Sequence, residues 1–323
     1  MINRLRILSG IQPTGAPHLG NYFAMMKPVI ELQDKGEPFI FIADYHTITT
    51  TPDPVVFKET SMNLAIDFLA CGLDPEKTVF FRQSDIIQIP ELAWILSCFT
   101  PMGLLERCHS YKDKVANGII PNCGLFYYPI LMAADILMYK SNLVPVGRDQ
   151  KQHVEVTRDI AQRFNNKYGD VLVIPESQIK DNVATVIGTD GRKMSKSYGN
   201  TIDIFNTAKK TRKSFMKIVT DSKSPAEPKD PENCSIFALY KLFASEKQIE
   251  DMAERYRAGG LMYGTAKQEL FEIFSEYFAP MKKRRDELAA DMGYVNSVLK
   301  AGAEKASEVA VQTMKEIREK IGL

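Results

Sequence analysis

Four stretches of this 323-residue chain place polar, glycine-rich or cationic residues where core periodicity calls for apolar ones. The first is Gly10-Ile11-Gln12-Pro13-Thr14-Gly15-Ala16-Pro17-His18-Leu19-Gly20-Asn21, which opens onto a helical pattern. A helix start presents unpaired N–H groups and partial positive charge, and both suit phosphate. His18 and Asn21, three apart, fit either hydrogen bonding to a phosphoryl group or simple capping of the helix. The segment is neither a P-loop nor a G-x-G-x-x-G fingerprint, so kinase and dehydrogenase readings lose their support. Asp44-Tyr45-His46 and Gly147-Arg148-Asp149-Gln150 follow two further strand-like runs. The fourth stretch, Lys193-Met194-Ser195-Lys196-Ser197, comes after Gly188-Thr189-Asp190-Gly191-Arg192. Two lysines on a flexible approach make a mobile phosphate clamp, although a lone basic run reads equally as a solvated loop. No Ser/His/Asp or Cys/His arrangement stands out, so a nucleophilic side chain is not indicated.

The elements that must position these residues alternate along the first two thirds of the chain. Leu5–Ser9, Phe39–Ala43, Thr78–Phe81 and Leu143–Val146 read as strands. Asn21–Gln33 and Val55–Cys71 read as helices, with Gly72 as a stop for the second and Pro28 as a kink or early end for the first. Alternation of this kind predicts a parallel α/β sheet with helices on both faces. In such a sheet ligands sit outside the carboxyl ends of the strands. The first three stretches all follow strand ends. Residues 101–125, with two prolines and three glycines, read as a loop inserted between sheet elements, and residues 221–233 form a second break. Beyond Ser235 the pattern is helical, ending on an apolar stripe of Val298, Val309, Met314, Ile317 and Ile321.

Composition bounds the class. The chain is 45% hydrophobic and 25% charged, ordinary globular values. Its formal charge is +1, with 21 basic and 18 acidic residues in 204–323 and a net −2 in the remainder. That slight asymmetry hints at a polyanionic partner for the C-terminal part. No run is apolar enough for a membrane helix, and no signal-peptide pattern opens the chain. Five cysteines without a Cys-x-x-Cys pair argue against structural zinc or a disulfide framework and for a cytoplasmic setting.

His18-Leu19-Gly20-Asn21 resembles the HIGH signature of class I aminoacyl-tRNA synthetases, and Lys193–Ser197 matches their KMSKS signature letter for letter. Ser9–Gly15, Leu131–Leu137, Val144–Gly147, Asp149–His153, Thr157–Asp159 and Ala303–Ala306 are similar to motifs of bacterial-type tryptophanyl-tRNA synthetases. The resemblance spans essentially the whole chain. Asn21 replaces the final histidine of HIGH, and Arg148 stands where an acidic residue is common.

The resemblance implies a Rossmann-like doubly wound domain over 1–203, with a connecting insertion near 101–142. It implies a helical anticodon-binding domain over 204–295 and a C-terminal helix, 296–323, returning to the catalytic domain. The implied reaction joins tryptophan to ATP, releases pyrophosphate and passes the amino acid to tRNA(Trp), in a homodimer. Lys193, Lys196 and Lys114 would hold the leaving pyrophosphate. His18 and Asn21 would serve the phosphates, and Mg²⁺ would ride on them. Gln12, Pro13, Thr14, Gly20, Gly147, Arg148, Asp149, Val186, Met194, Ser195 and Ser197 would border the nucleotide. For tryptophan, the carboxylate of Asp135 in an otherwise apolar helix is the expected acceptor for the indole N–H; a capping or salt-bridged residue is the alternative. Met132 shares its face. Val144, Val146 and Leu8 would wall the ring, and Tyr128, Gln150 and His46 would meet the ammonium and carboxylate. His46 also fits a structural role. A tyrosine enzyme, a small-molecule nucleotidyltransferase and a non-catalytic RNA-binding paralogue are the competing readings.

Overall fold

The computed structural model describes residues 5–108, 121–147, 150–179 and 186–323. Five strands form one parallel sheet: β1 (Arg6–Ile11), β2 (Glu37–Ile42), β3 (Val79–Arg82), β4 (Leu143–Val146) and β5 (Glu176–Ile179). Their order is β3-β2-β1-β4-β5, and every pairing is parallel. The order reverses direction between β1 and β4, which opens a crevice at their carboxyl ends. Strand alternation sorts the core. Leu8, Phe39, Phe41 and Phe81 face one buried cluster, while Ile40, Ile42 and Phe80 face the other.

The helical elements are α1 (Leu19–Asn21), α2 (Lys27–Ile30), α3 (Asp44–Ile48), α4 (Pro54–Ala70), α5 (Gln88–Ser97), α6 (Met102–Glu106) and α7 (Cys123–Met138). They continue with α8 (Lys151–Tyr168), α9 (Ala208–Met216), α10 (Ser235–Tyr240), α11 (Glu246–Ala258), α12 (Tyr263–Ala290) and α13 (Met292–Ile321). A π-helical turn, Tyr22–Met26, joins α1 to α2, and a 3₁₀ turn, Glu31–Asp34, follows α2. Pro28 therefore neither stops nor sharply ends the predicted helix. The widened turn just before it ends with Lys27 N–H bonding back to Tyr22, so the missing donor falls where the ladder is already changing register.

Residues 101–125 are not one loop. Met102–Glu106 is helical, and α7 begins at Cys123, where the Asn122 side chain accepts from Leu125 N at 2.8 Å. The helix that carries Asp135 thus runs Cys123–Met138, with Pro129 within it. β5 and α8 complete the sheet layer on the side that the sequence pattern left undivided.

α13 lies against the edge strand β3 and against α5. Gly302 makes the first contact possible: a Cβ there would fall 1.9 Å from the Phe80 carbonyl oxygen. The buried stripe of this helix runs through Val295, Val298, Leu299, Ala306, Ala310, Met314 and Ile317, with Val309 and Ile321 at its margin. A covered β3 edge presents no free ladder to another chain.

Candidate active site

At the crevice between β1 and β4 lies a cavity of about 420 Å³. Leu8 from β1, His46 from α3, Tyr128, Met132 and Asp135 from α7, and Val144, Val146 and Gln150 from around β4 all line it. The eight residues expected at a tryptophan site therefore come together from four separate parts of the chain. Ser9, Gly10, Gln12, Met25, Phe41, Ala43 and Gly147 are among the other lining residues.

Asp135 is 1% exposed. Gln83 Nε2 donates to its two oxygens at 2.7 and 2.9 Å, and His46 Nε2 lies 2.8 Å from Oδ2. A carboxylate only accepts, so His46 holds its proton on Nε2 in this pair. Burial pushes the Asp135 carboxyl up, and the bonds from His46 and Gln83 pull it back. Oδ1 receives one bond, from Gln83, and keeps capacity for a further donor from the cavity. This arrangement can fix the N–H of a flat apolar ligand. Gln83 was not singled out in the sequence. The signal was present: it follows the carboxyl end of β3, the one strand end whose polar residues were passed over.

Tyr128 Oη lies 2.6 Å from Nε2 of the buried His153, and its ring meets His46 edge-on. His46 thus sits on the cavity wall with one nitrogen committed to Asp135. Met132 is half-buried on the same face of α7, and Gln150 opens α8.

The HIGH-like and KMSKS stretches meet through the Lys196 bond to Thr14 and the backbone bonds at Pro17–Leu19. His18 and Asn21 form a reciprocal cap: Asn21 N–H donates to His18 Nδ1, and His18 N–H donates to Asn21 Oδ1, both at 3.2 Å. Nδ1 as acceptor leaves the proton on Nε2, so the ring presents a donor. Burial, and then the Lys196 charge, hold the imidazole down to about 4. His18 is therefore a neutral donor across the physiological range. The capping reading of this pair is what the structure shows, and the cap is what sets the tautomer. A Cβ on Gly20 would stand 2.9 Å from two atoms of that imidazole, so glycine keeps the ring in place.

Backbone bonds lock this start to the residues after the clamp. Leu19 N–H donates to Ile202 O at 2.9 Å, Ile204 N–H to Pro17 O at 3.1 Å, and His18 bridges Asp203. Lys196 Nζ donates to the Thr14 carbonyl at 2.8 Å. Val186 and Met194 are core anchors, joined by Met194 N–H to Val186 O at 2.8 Å. On either side of Met194, Lys193, Lys196 and Ser197 remain exposed, and Ser195 Oγ pairs with Ser197 Oγ at 2.8 Å. Pro13 is buried, whereas Gln12, Thr14 and Gly147 face solvent. Lys114, Arg148 and Asp149 lie outside the described residues.

Asn200, also missed in the sequence, ties the clamp together. It is 2% exposed. It accepts from Ser195 N at 2.7 Å and donates to Lys193 O at 3.1 Å and Asp190 Oδ1 at 2.7 Å. Arg192 pairs with Asp190 at 2.6 Å and lies 4.4 Å from the Tyr198 ring centroid. The ammonium arms are thus carried on a braced loop.

A crevice at the strand-order reversal, a neutral histidine donor and a lysine loop define a class of nucleotide-using α/β enzymes. The family profile described as tRNA synthetases class I (W and Y) matches residues 2–279. The chain belongs to this family. It is 51% identical to a tryptophan–tRNA ligase of Rhodopirellula baltica, covering 99% of this chain and 100% of the relative. A Fusobacterium nucleatum tryptophan–tRNA ligase is 50% identical, covering 98% of each chain. Among solved structures, Campylobacter jejuni tryptophanyl-tRNA synthetase complexed with ADP and tryptophan superposes with a TM-score of 0.96. It shares 48% identity, covering 99% of this chain and 100% of that one. Within the family, the chain belongs with the bacterial tryptophan–tRNA ligases.

Proposed function

We propose that the protein activates L-tryptophan with ATP and transfers it to tRNA(Trp). The observation that carries this reading is the buried Asp135 carboxylate, held by Gln83 and His46 at the base of a cavity whose other walls are largely apolar. An indole presents one N–H on a flat apolar ring, and this cavity offers one buried carboxylate among Leu8, Met132, Val144 and Val146.

In the first step a carboxylate oxygen of the amino acid attacks the α-phosphorus, and the bond to the leaving pyrophosphate breaks. Charge develops on phosphoryl oxygens, so positioning and electrostatics supply the catalysis. His18 Nε2–H offers a neutral donor, and Lys193 and Lys196 offer mobile cations for the pyrophosphate. Gln12, Thr14 and Gly147 border the route between the cavity and the lysine loop. Tyr128 and Gln150 line the same cavity and would meet the ammonium and carboxylate of the amino acid. In the second step a ribose hydroxyl at the tRNA end attacks the adenylate carbonyl, an ester forms and AMP leaves.

Mg²⁺ belongs to this reading as an ion carried by triphosphate oxygens. Among the described residues no group of three or more His, Cys, Asp or Glu is placed to hold a metal. The tRNA would lie along the helical part, 204–295. A second copy of the chain would cover Ile87, Trp94 and Met102, large apolar residues 79, 69 and 63% exposed. No helix among the described residues is long and apolar enough to cross a membrane.

The test is amino-acid-dependent ATP–pyrophosphate exchange. Exchange with tryptophan and none with tyrosine is expected; the reverse would assign the tyrosine reaction. Light scattering on the same sample reads the dimer.

A further inference from the structure

Two hydrogen-bond donors hold the Asp135 carboxylate, and they come from neighbouring strand ends. His46 stands on α3, after β2, and Gln83 on the turn after β3. The group that joins these two segments lies behind the cavity. β2 and β3 pair in parallel with Ile42 opposite Arg82, and Asp44 and Ser84 each stand two residues beyond that pair. Asp44 Oδ1 accepts from Ser84 N–H at 3.0 Å, and Oδ2 accepts from the Ser84 hydroxyl. One carboxylate thus clasps both segments just past the end of the ladder.

The clasp also decides which way the Gln83 amide faces. Tyr45 N–H lies 2.9 Å from Asp44 Oδ1 and 3.1 Å from Gln83 Oε1, and donates to both. With Oε1 facing that donor, Nε2 faces Asp135. A flipped amide would set its NH₂ against the Tyr45 N–H and its carbonyl against a carboxylate, two repulsive contacts away from water. Asp44 is 6% exposed and Gln83 is fully buried. Burial pushes the Asp44 carboxyl up, and the Ser84 and Tyr45 bonds pull it back. Among the described residues that line the cavity, neither Asp44 nor Ser84 is found.

We propose that Asp44 is a positioning residue for tryptophan: by clasping Ser84 it fixes Gln83 and His46 on Asp135, so that the remaining capacity of Oδ1 meets the indole N–H. This rests on the synthetase reading above and deepens its amino-acid step. A carboxylate that touches no substrate then governs how one N–H is recognised, and has little bearing on how the rest of the ring packs. A purely structural clasp would support every ligand of the cavity equally.

The test sets tryptophan against β-(3-benzothienyl)alanine, in which sulfur replaces the indole N–H on a ring of similar shape. Wild type, D44A and D44N are compared in pyrophosphate exchange with tryptophan, with the analogue as competing inhibitor and melting temperatures alongside. D44A is expected to raise the KM for tryptophan about tenfold while leaving the inhibition constant of the analogue, and the KM for ATP, within about twofold. D44N keeps Oδ1 for the two backbone N–H groups and can offer Nδ2 to the Ser84 oxygen, so it is expected to stay within about threefold of wild type. Equal losses for tryptophan and the analogue in D44A, or a D44N as impaired as D44A, would overturn the proposal. Should D44A fail to fold, S84A decides: about a threefold rise for tryptophan alone supports the clasp, and an equal change for both ligands, or none, overturns it. Wild type without tryptophan-dependent exchange would sink the synthetase reading and the proposal with it, whereas intact wild-type exchange with equal losses sinks the proposal alone.

Discussion

Lys196 Nζ donates to the main-chain carbonyl of Thr14 at 2.8 Å, across 182 positions of sequence. That bond joins the turn after β1 to the lysine loop and parks an ammonium beside the neutral His18 ring. Parking costs the loop little, because the acceptor is a neutral carbonyl that phosphate oxygens outcompete for a cation.

Replacing Lys196 with Ala removes the arm and not the scaffold. Exchange activity should fall by about 10²- to 10³-fold, with the melting temperature nearly unchanged because the side chain is exposed. Steady-state exchange with tryptophan and ATP measures this; full retained activity would show that the clamp assignment is wrong.

Asp135→Asn keeps the shape of the acceptor and removes its charge. The new amide must set an NH₂ against the donors of Gln83 or His46, an unmatched contact worth about 1–3 kcal/mol. The KM for tryptophan should rise far more than that for ATP, and a Gln83→Leu variant should shift it in the same direction by freeing the carboxylate to turn. Equal effects on both substrates would contradict an amino-acid role for Asp135.

Asn200→Ala removes three bonds that brace the lysine loop. Loss of these should lower stability by about 1–3 kcal/mol, and kcat about tenfold, without moving the KM for tryptophan. Chemical denaturation and exchange kinetics read the two effects separately.

His18 and Asp67 couple stability to pH with opposite signs. The His18 imidazole titrates at about 4 in the fold and at 6.5 when unfolded. Its contribution is therefore complete above pH 6.5 and is lost as pH falls toward about 4. Asp67 moves from 3.8 up to about 6, so its contribution is complete below pH 3.8 and is lost as pH rises through about 6. D67N should accordingly lose stability more steeply than wild type on acidification from pH 6 to 4. Imidazole resonances of the four histidines should include one still neutral at pH 5.

The parallel α/β class was legible in the sequence because buried strands are continuous apolar runs and each is followed by polar residues at its carboxyl end. Phe39–Ala43 shows both features, ending in Asp44-Tyr45-His46. The same rule pointed to His46 and Gln150, since side-chain type and position after a strand are local properties; the other cavity residues were expected from the family resemblance and, for Asp135, from a carboxylate in an apolar helix. Helix limits were less legible. The cap at Asn122 and the π-turn before Pro28 depend on hydrogen bonds that outweigh propensity.

The sequence by itself determined which groups carry charge and which segments flank strands, because composition and periodicity are written along the chain. Only the tertiary structure decided their partners. Gln83 and His46 converge on Asp135 because β3, α3 and α7 end at one crevice. Arg285 reaches Asp67 because α12 packs on α4. Burial, which keeps His18 neutral and pushes the Asp67 carboxyl up, arises from contacts far apart in the chain and has no signature in any single stretch.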